Sequence, residues 1–334
     1  MKEVFVIGAG FSKAISHEMP LLVDLSQEVG QHIKLPSEAV SLGNNLELWL
    51  SYLYQTQPWL SESENLRNRS LALDISGEVA KVIEQRTALA LDSICPQWLY
   101  KLLSYWHKSK AHIISLNYDV LIESAAAKIQ DETGVSVKLS CENLYPVSLT
   151  PAAARDCAVL GGEPCDTLKL YKLHGSTNWF YSGRSSFFGE TIVYIPVMNW
   201  SLESDQRKEE ERNRKNTLDK VPLIIPPLFD KVPYFEHETI RSLWSQAGAA
   251  LRESTRIYCI GYSLPQTDVL MQMLLKTNIR GQCVPLVIVN TDQGITNHYK
   301  EIFRGSLIDI QDSLNIVCDD AVSKFSNVIS DQPT

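Results

Sequence analysis

Val4-Phe5-Val6-Ile7-Gly8-Ala9-Gly10-Phe11-Ser12-Lys13 is a continuous apolar run that breaks at two glycines and passes into a helical pattern. A run with no polar alternation marks a strand buried on both faces, as in a parallel sheet. The glycines permit a tight strand-to-helix turn whose backbone can approach phosphates, with the N–H groups of the next helix facing a pyrophosphate. The dinucleotide fingerprint asks for a third glycine where this chain has Lys13. A strand-to-helix turn that holds no ligand is therefore an equal reading of this stretch alone.

The same signature recurs down the chain. Short apolar runs at His112–Leu116, Leu168–Leu173, Val221–Ile225, Arg256–Ile260, Val284–Val289 and Leu314–Val317 each run into a turn or a helical pattern. This alternation predicts an α/β fold, a Rossmann-like doubly wound parallel sheet. Leu21, Leu22, Leu25, Val29 and Ile33 have helical spacing. Leu46, Trp49, Leu50, Leu53 and Tyr54 form a stripe, and Val79, Val82 and Ile83 begin another. A third helix should start near Pro96, since proline suits the first helical turn. Residues 36–110 thus read as an inserted helical subdomain or lid, with 1–35 and 111–330 as the core. Within the core, 201–220 is dense in charge and reads as a solvated surface loop or helix, with a partner-binding loop as the alternative.

Composition narrows the function. The chain has 334 residues, 44% hydrophobic and 21% charged, enough apolar surface for a large core. There are 31 Lys and Arg against 39 Asp and Glu, so a net charge of −8 gives no general attraction for nucleic acid. No run of about 18 apolar residues predicts a membrane span. The first residues read as a strand and not as a signal peptide. Seven cysteines without a CxxC pair argue against a disulfide framework and a zinc ribbon, so no metal is expected and a cytoplasmic location is.

Polar residues cluster after the apolar runs. Asn117 and Asp119 follow the second, where open α/β sheets bind ligands, although Asp119 could equally cap a helix. His174 sits at a strand-to-turn junction beside Gly175. Gly261 and Ser263, then Asn290 and Asp292, then Asp319, follow later runs. Any one of these could be a turn or a cap. Six such turns at one end of six strands point to a shared site.

The order GAGFS (8–12), SLNYD (115–119), LHGS (173–176), GYS (261–263), VNTD (289–292) and CDD (318–320) resembles the sirtuin family, over nearly the whole chain. SLNYD, LHGS and GYSLPQTD look most like its bacterial NAD-hydrolase branch used in anti-phage defence. The resemblance implies NAD as substrate and cleavage of its nicotinamide–ribose bond. Asn117 would position a water or the nicotinamide amide, His174 would engage the ribose hydroxyls, and Asp119 would stand near that ribose. Gly8, Ala9, Gly10 and Ser12 would line the phosphates. Gly261, Ser263, Asn290 and Asp319 would line the phosphates, the adenine ribose and the adenine edge.

The chain departs from sirtuin deacylases in two places. After Pro20 it continues Leu21-Leu22-Val23-Asp24, without the GIPDFR stretch, and Trp179–Leu223 contains no cysteine where deacylases carry a zinc module. Acyl-lysine deacylation and a non-catalytic NAD or ADP-ribose sensor are the competing expectations, and an oxidoreductase is disfavoured by Lys13. The resemblance further implies regulation through a homo-oligomer or a separate sensor, such as a HerA-type ATPase or a short Argonaute.

Overall fold

The computed structural model describes residues 2–126, 129–130, 136–137, 139, 141–152, 166–182, 192–197, 200, 213–228, 235, 237–279, 281 and 283–331. The opening apolar run forms β1 (Glu3–Ile7), and all five residues are buried. It is followed by β2 (His112–Ser115), the short pair β3 (Ile129–Gln130) and β4 (Ser136–Val137), β5 (Thr150–Pro151) and β6 (Lys169–Lys172). Then come β7 (Gly175–Tyr181), β8 (Val193–Tyr194), β9 (Val221–Ile224), β10 (Arg256–Ile260), β11 (Val284–Asn290), β12 (Ile308–Ile310) and β13 (Ile316–Val317).

The central sheet runs β12-β11-β10-β1-β2-β6, with β13 beside β11, and every pairing in it is parallel. From β1 the chain adds β2 and β6 on one side, then returns to add β10, β11 and β12 on the other, the doubly wound order. The fold is therefore α/β, Rossmann-like, with helices flanking a parallel sheet. Phe5 stacks on Tyr258 of the neighbouring strand and meets Trp106 and Phe325, which anchors helices to the sheet.

One strand assignment is corrected. Val221–Ile225 is not part of the parallel sheet. As β9 it pairs antiparallel with β7 in a small second sheet that also holds β5 and β8. An apolar run signals burial but carries no information about its partner. At the other edge, β12 contains Asp309 and is only three residues long, too short and polar to stand out in sequence. Leu314 belongs to a 3-10 turn, and only Ile316 and Val317 pair with β11.

The helices of the first third are α1 (Ala9–Ile15), α2 (Leu22–His32), α3 (Ser37–Val40), α4 (Leu46–Tyr54), α5 (Glu62–Leu91) and α6 (Gln97–Ser109), and α7 (Leu121–Ala126) follows β2. Helix α5 starts at a capping box: Ser61 accepts from the Glu64 N–H while Glu64 accepts from the Ser61 N–H. Pro96 directly precedes α6. Leu25 and Val29 of α2, Trp49, Leu50 and Leu53 of α4, and Ile75, Val79 and Val82 of α5 form a second apolar core. Leu99, Leu102, Leu103 and Trp106 of α6 belong instead to the core around the central sheet. Of the charged stretch 201–220, residues 201–212 lie outside the described residues. Arg214 pairs with Glu84 of α5.

Candidate active site

The doubly wound order leaves the carboxyl ends of β1 and β10 side by side, the point where the two halves of the sheet diverge and ligands bind. Two loops meet there. Gly10 N donates to Gly261 O at 2.8 Å, Gly8 N to Ile260 O at 3.2 Å and Gly261 N to Val289 O at 2.8 Å. Gly261 has φ +58, and a Cβ on it would stand 2.2 Å from Phe11 N. A Cβ on Gly8 would stand 2.9 Å from Gly261 O. The glycines thus allow loop-on-loop contact, and the N–H groups of Gly8 and Gly10 face backbone carbonyls. This is a different physical reason for them than room for phosphates.

Directly beside this contact, three side chains form one network. Asn117 Nδ2 donates to Gly8 O at 2.9 Å and to Ser12 Oγ at 2.8 Å. A carbonyl only accepts, so the Gly8 contact fixes which end of the amide faces it. Ser12 Oγ in turn donates to Asp119 Oδ2 at 2.6 Å. Asp119 Oδ1 accepts from the Leu121 N–H at 3.2 Å, so this carboxylate also starts α7. Both amide protons of Asn117 are thus used inside the protein, on Gly8 O and Ser12 Oγ. All three side chains are buried.

Ala9, Ser12, Asn117 and Asp119 line a cavity of about 110 Å³. Its remaining wall is apolar and includes Met19, Leu22 and Leu25, with Ile83 of α5 and Pro227. Sequence reasoning missed that wall, because its residues come from the 19–25 segment, a distant helix and a loop after β9. The helical spacing of Leu22 and Leu25 was visible, but not what it covers.

His174 is buried at the β6–β7 corner and lies outside that lining. Tyr118 connects the two: it lines the cavity, and its ring is centred 6.3 Å from the His174 ring. Trp244 stands on His174 at 6.4 Å and donates from Nε1 to Leu173 O at 3.1 Å. Tyr118 OH donates to Ile225 O at 2.7 Å, and the Ile225 N–H donates to His174 O at 2.8 Å. These bonds tie the histidine corner to the loop after β9.

The late-strand residues lie further along the same sheet edge. Ser263 is exposed. Asn290 Nδ2 donates to Tyr262 O at 3.3 Å, and its Oδ1 accepts from the N–H groups of Thr291 and Asp292. Its amide therefore builds the turn after β11. Asp292 accepts from the Gly294 N–H at 2.8 Å, so it closes the turn before the next helix, whose N-cap is Gly294 itself. Asp319 is exposed next to Cys318, whose N–H donates to Asn290 O. Tyr262 donates to Asp268 at 2.7 Å, and burial together with that carboxylate pushes its phenol well up, so it stays a donor. Gly8, Ala9, Ser12, Asn117 and Asp119 are brought together, while Ser263, Asn290 and Asp319 flank them along the edge.

No protein-family model and no curated protein matches the chain. Among solved structures, Sir2Tm bound to a propionylated peptide aligns over 98% of this chain and 91% of its own, with 12% identity and a TM-score of 0.40. A Sir2–p53 peptide–NAD+ structure covers the same shares at 12% identity and a TM-score of 0.39. The class of this chain rests on its own sheet: a doubly wound α/β protein with a polar network at the switch point. Among the described residues no group of three or more His, Cys, Asp or Glu could hold a metal, and no helix is long and apolar enough to cross a membrane. Cys157 and Cys165 lie outside the described residues.

Proposed function

We propose that the chain is an NAD hydrolase that releases nicotinamide and ADP-ribose, acting as an NAD-depleting effector in anti-phage defence. The observation that carries the reading is the Asn117–Ser12–Asp119 network at the switch point. The cavity of about 110 Å³ is below the roughly 300–1,000 Å³ of sites that enclose a whole ligand. It suits the reactive end of a dinucleotide. The adenosine half would lie along the open sheet edge towards Ser263, Asn290 and Asp319, past the Gly8–Gly10 and Gly261 loops.

In this reading a water oxygen bonds to the ribose anomeric carbon as the bond to the nicotinamide nitrogen breaks. The bonding pair passes to the pyridinium ring, so nicotinamide leaves neutral and needs no strong acid. The Asn117 carbonyl oxygen accepts from the water and orients it. Asp119 places negative charge near the ribose as its ring gains oxocarbenium character. His174 engages the ribose hydroxyls and takes the proton the water loses. Activation through an assembled copy or a separate sensor belongs to the same proposal, with α4 and α5 of the helical insertion as the candidate lid, since α6 is part of the central core.

The test is incubation with NAD, with and without an acetylated peptide, following nicotinamide, ADP-ribose and O-acetyl-ADP-ribose. Peptide-independent release of nicotinamide and ADP-ribose is expected. O-acetyl-ADP-ribose made only with peptide would turn the assignment to a deacylase. NAD bound but left whole would turn it to a sensor.

A further inference from the structure

Asn117 and Asp119 stand on a segment just past the end of β2. The β6–β7 corner holds its carbonyls. Tyr118 O accepts from the Thr177 N–H at 3.0 Å and from the hydroxyls of Ser176 and Thr177, each at 3.3 Å. The next carbonyl, Asp119 O, accepts from the ammonium of Lys172. Lys172 is the last residue of β6 and is 1% exposed. Its Nζ lies 3.3 Å from Glu123 Oε1 on α7, which also accepts from Tyr145 OH at 2.8 Å.

A buried ion pair is a poor way to gain stability, because desolvating both charges offsets most of their attraction. It is a good way to fix direction. An ammonium carries three donors and no acceptor, and here two of its partners are placed by different elements. Lys172 also precedes His174 by two residues. One strand end therefore carries both the histidine and the cation that grips the Asn117 segment.

We propose that Lys172, held by Glu123, is a positioning residue: it sets the Asn117–Asp119 segment against the strand end that carries His174. This rests on the NAD reading. Lys172 acts through Asp119, whose carboxylate receives Ser12, whose oxygen receives Asn117. A small shift of the segment moves the water-orienting oxygen, so turnover should suffer more than substrate binding, which is spread along the sheet edge.

The test compares wild type with Lys172→Met and with the double variant Lys172→Met/Glu123→Gln. The single variant leaves Glu123 buried and unpaired and is expected to fold poorly. The double variant removes both charges and keeps a partner for Tyr145. The readouts are Tm, kcat and KM for NAD, and the side-chain amide NMR signal of Asn117, identified by its loss in Asn117→Ala. In the double variant Tm should stay within a few degrees and KM within about threefold. Its kcat should fall about tenfold or more, with the Asn117 signal shifted. A double variant that melts far below wild type makes the pair a stability device and overturns the proposal. So does wild-type kcat, or a lowered kcat with an unmoved Asn117 signal. If wild type itself cleaves no NAD, the NAD reading falls on its own, and the Asn117 signal still decides placement: a shift upholds it and no shift overturns it.

Discussion

At Gly261 the turn is legible in the sequence, while the contact that requires glycine there is not. Its sequence setting, an apolar run followed by Gly-Tyr-Ser, marks a turn at the ligand end of a sheet. The reason only glycine serves is the φ of +58 and the backbone of Gly10 and Phe11 lying against it. That reason is a contact between segments some 250 positions apart, and no local pattern encodes it. Gly261→Ala should therefore cost at least the roughly 1–3 kcal/mol of a left-handed non-glycine residue. Denaturant unfolding at unchanged stability would show that the two loops have room to part. Asn117 and Asp119 were legible because both are polar residues just past an apolar run. Ser12, one turn into α1, was legible only through the family resemblance, and Lys172 was missed because a lysine within an apolar strand gives no sign of what it grips.

At the scale of elements, Arg86 of α5 is the tie between the helical block and the site. Its Nε and one terminal nitrogen donate to Glu28 of α2 at 3.1 and 2.9 Å, and its other terminal nitrogen donates to Glu18 at 3.3 Å. Glu18 directly precedes Met19, and Leu22 and Leu25 of α2 share the cavity wall with it. Carboxylates on both sides hold the Arg86 guanidinium above its usual range. A second tie runs from Thr267, in the loop after β10, to Glu47 of α4 at 2.8 Å. Arg86 is about one-third exposed, so Arg86→Ala should change global stability by no more than about 1 kcal/mol. Its effect should be local: faster amide hydrogen exchange in Leu22–His32, with the central strands unchanged. Equal exchange in both proteins would mean that apolar packing alone holds this wall. The helices themselves were readable from their stripes. That α6 packs with the central sheet while α4 and α5 build their own core was not, since periodicity gives a face and not its partner.

For the whole molecule, the parallel sheet was visible because buried strands write continuous apolar runs between helical patterns. The small sheet was hidden because β9 writes the same kind of run. The block around α4 and α5 leaves Trp59, Leu66 and Leu73 strongly exposed, with Trp59 at 76%. An NAD hydrolase active at all times would exhaust the cofactor of its own cell. These two considerations give one expectation: activity per chain should rise with protein concentration, or on adding a partner, as assembled states form. A rate per chain that is constant from nanomolar to micromolar protein, with or without a partner, would contradict it.

The central claim is that the Asn117 amide at the switch point directs water onto the ribose of NAD. The most direct measurement is a time course of nicotinamide and ADP-ribose released from NAD, comparing wild type with Asn117→Ala and His174→Ala over a range of protein concentrations. Folding of each variant is checked by circular dichroism. The two products should appear in equal amounts from wild type, and each substitution should lower the rate by about a hundredfold or more, the usual contribution of a positioned base or orienting group. No NAD loss at any wild-type concentration, or near-wild-type turnover by folded Asn117→Ala, would contradict the account.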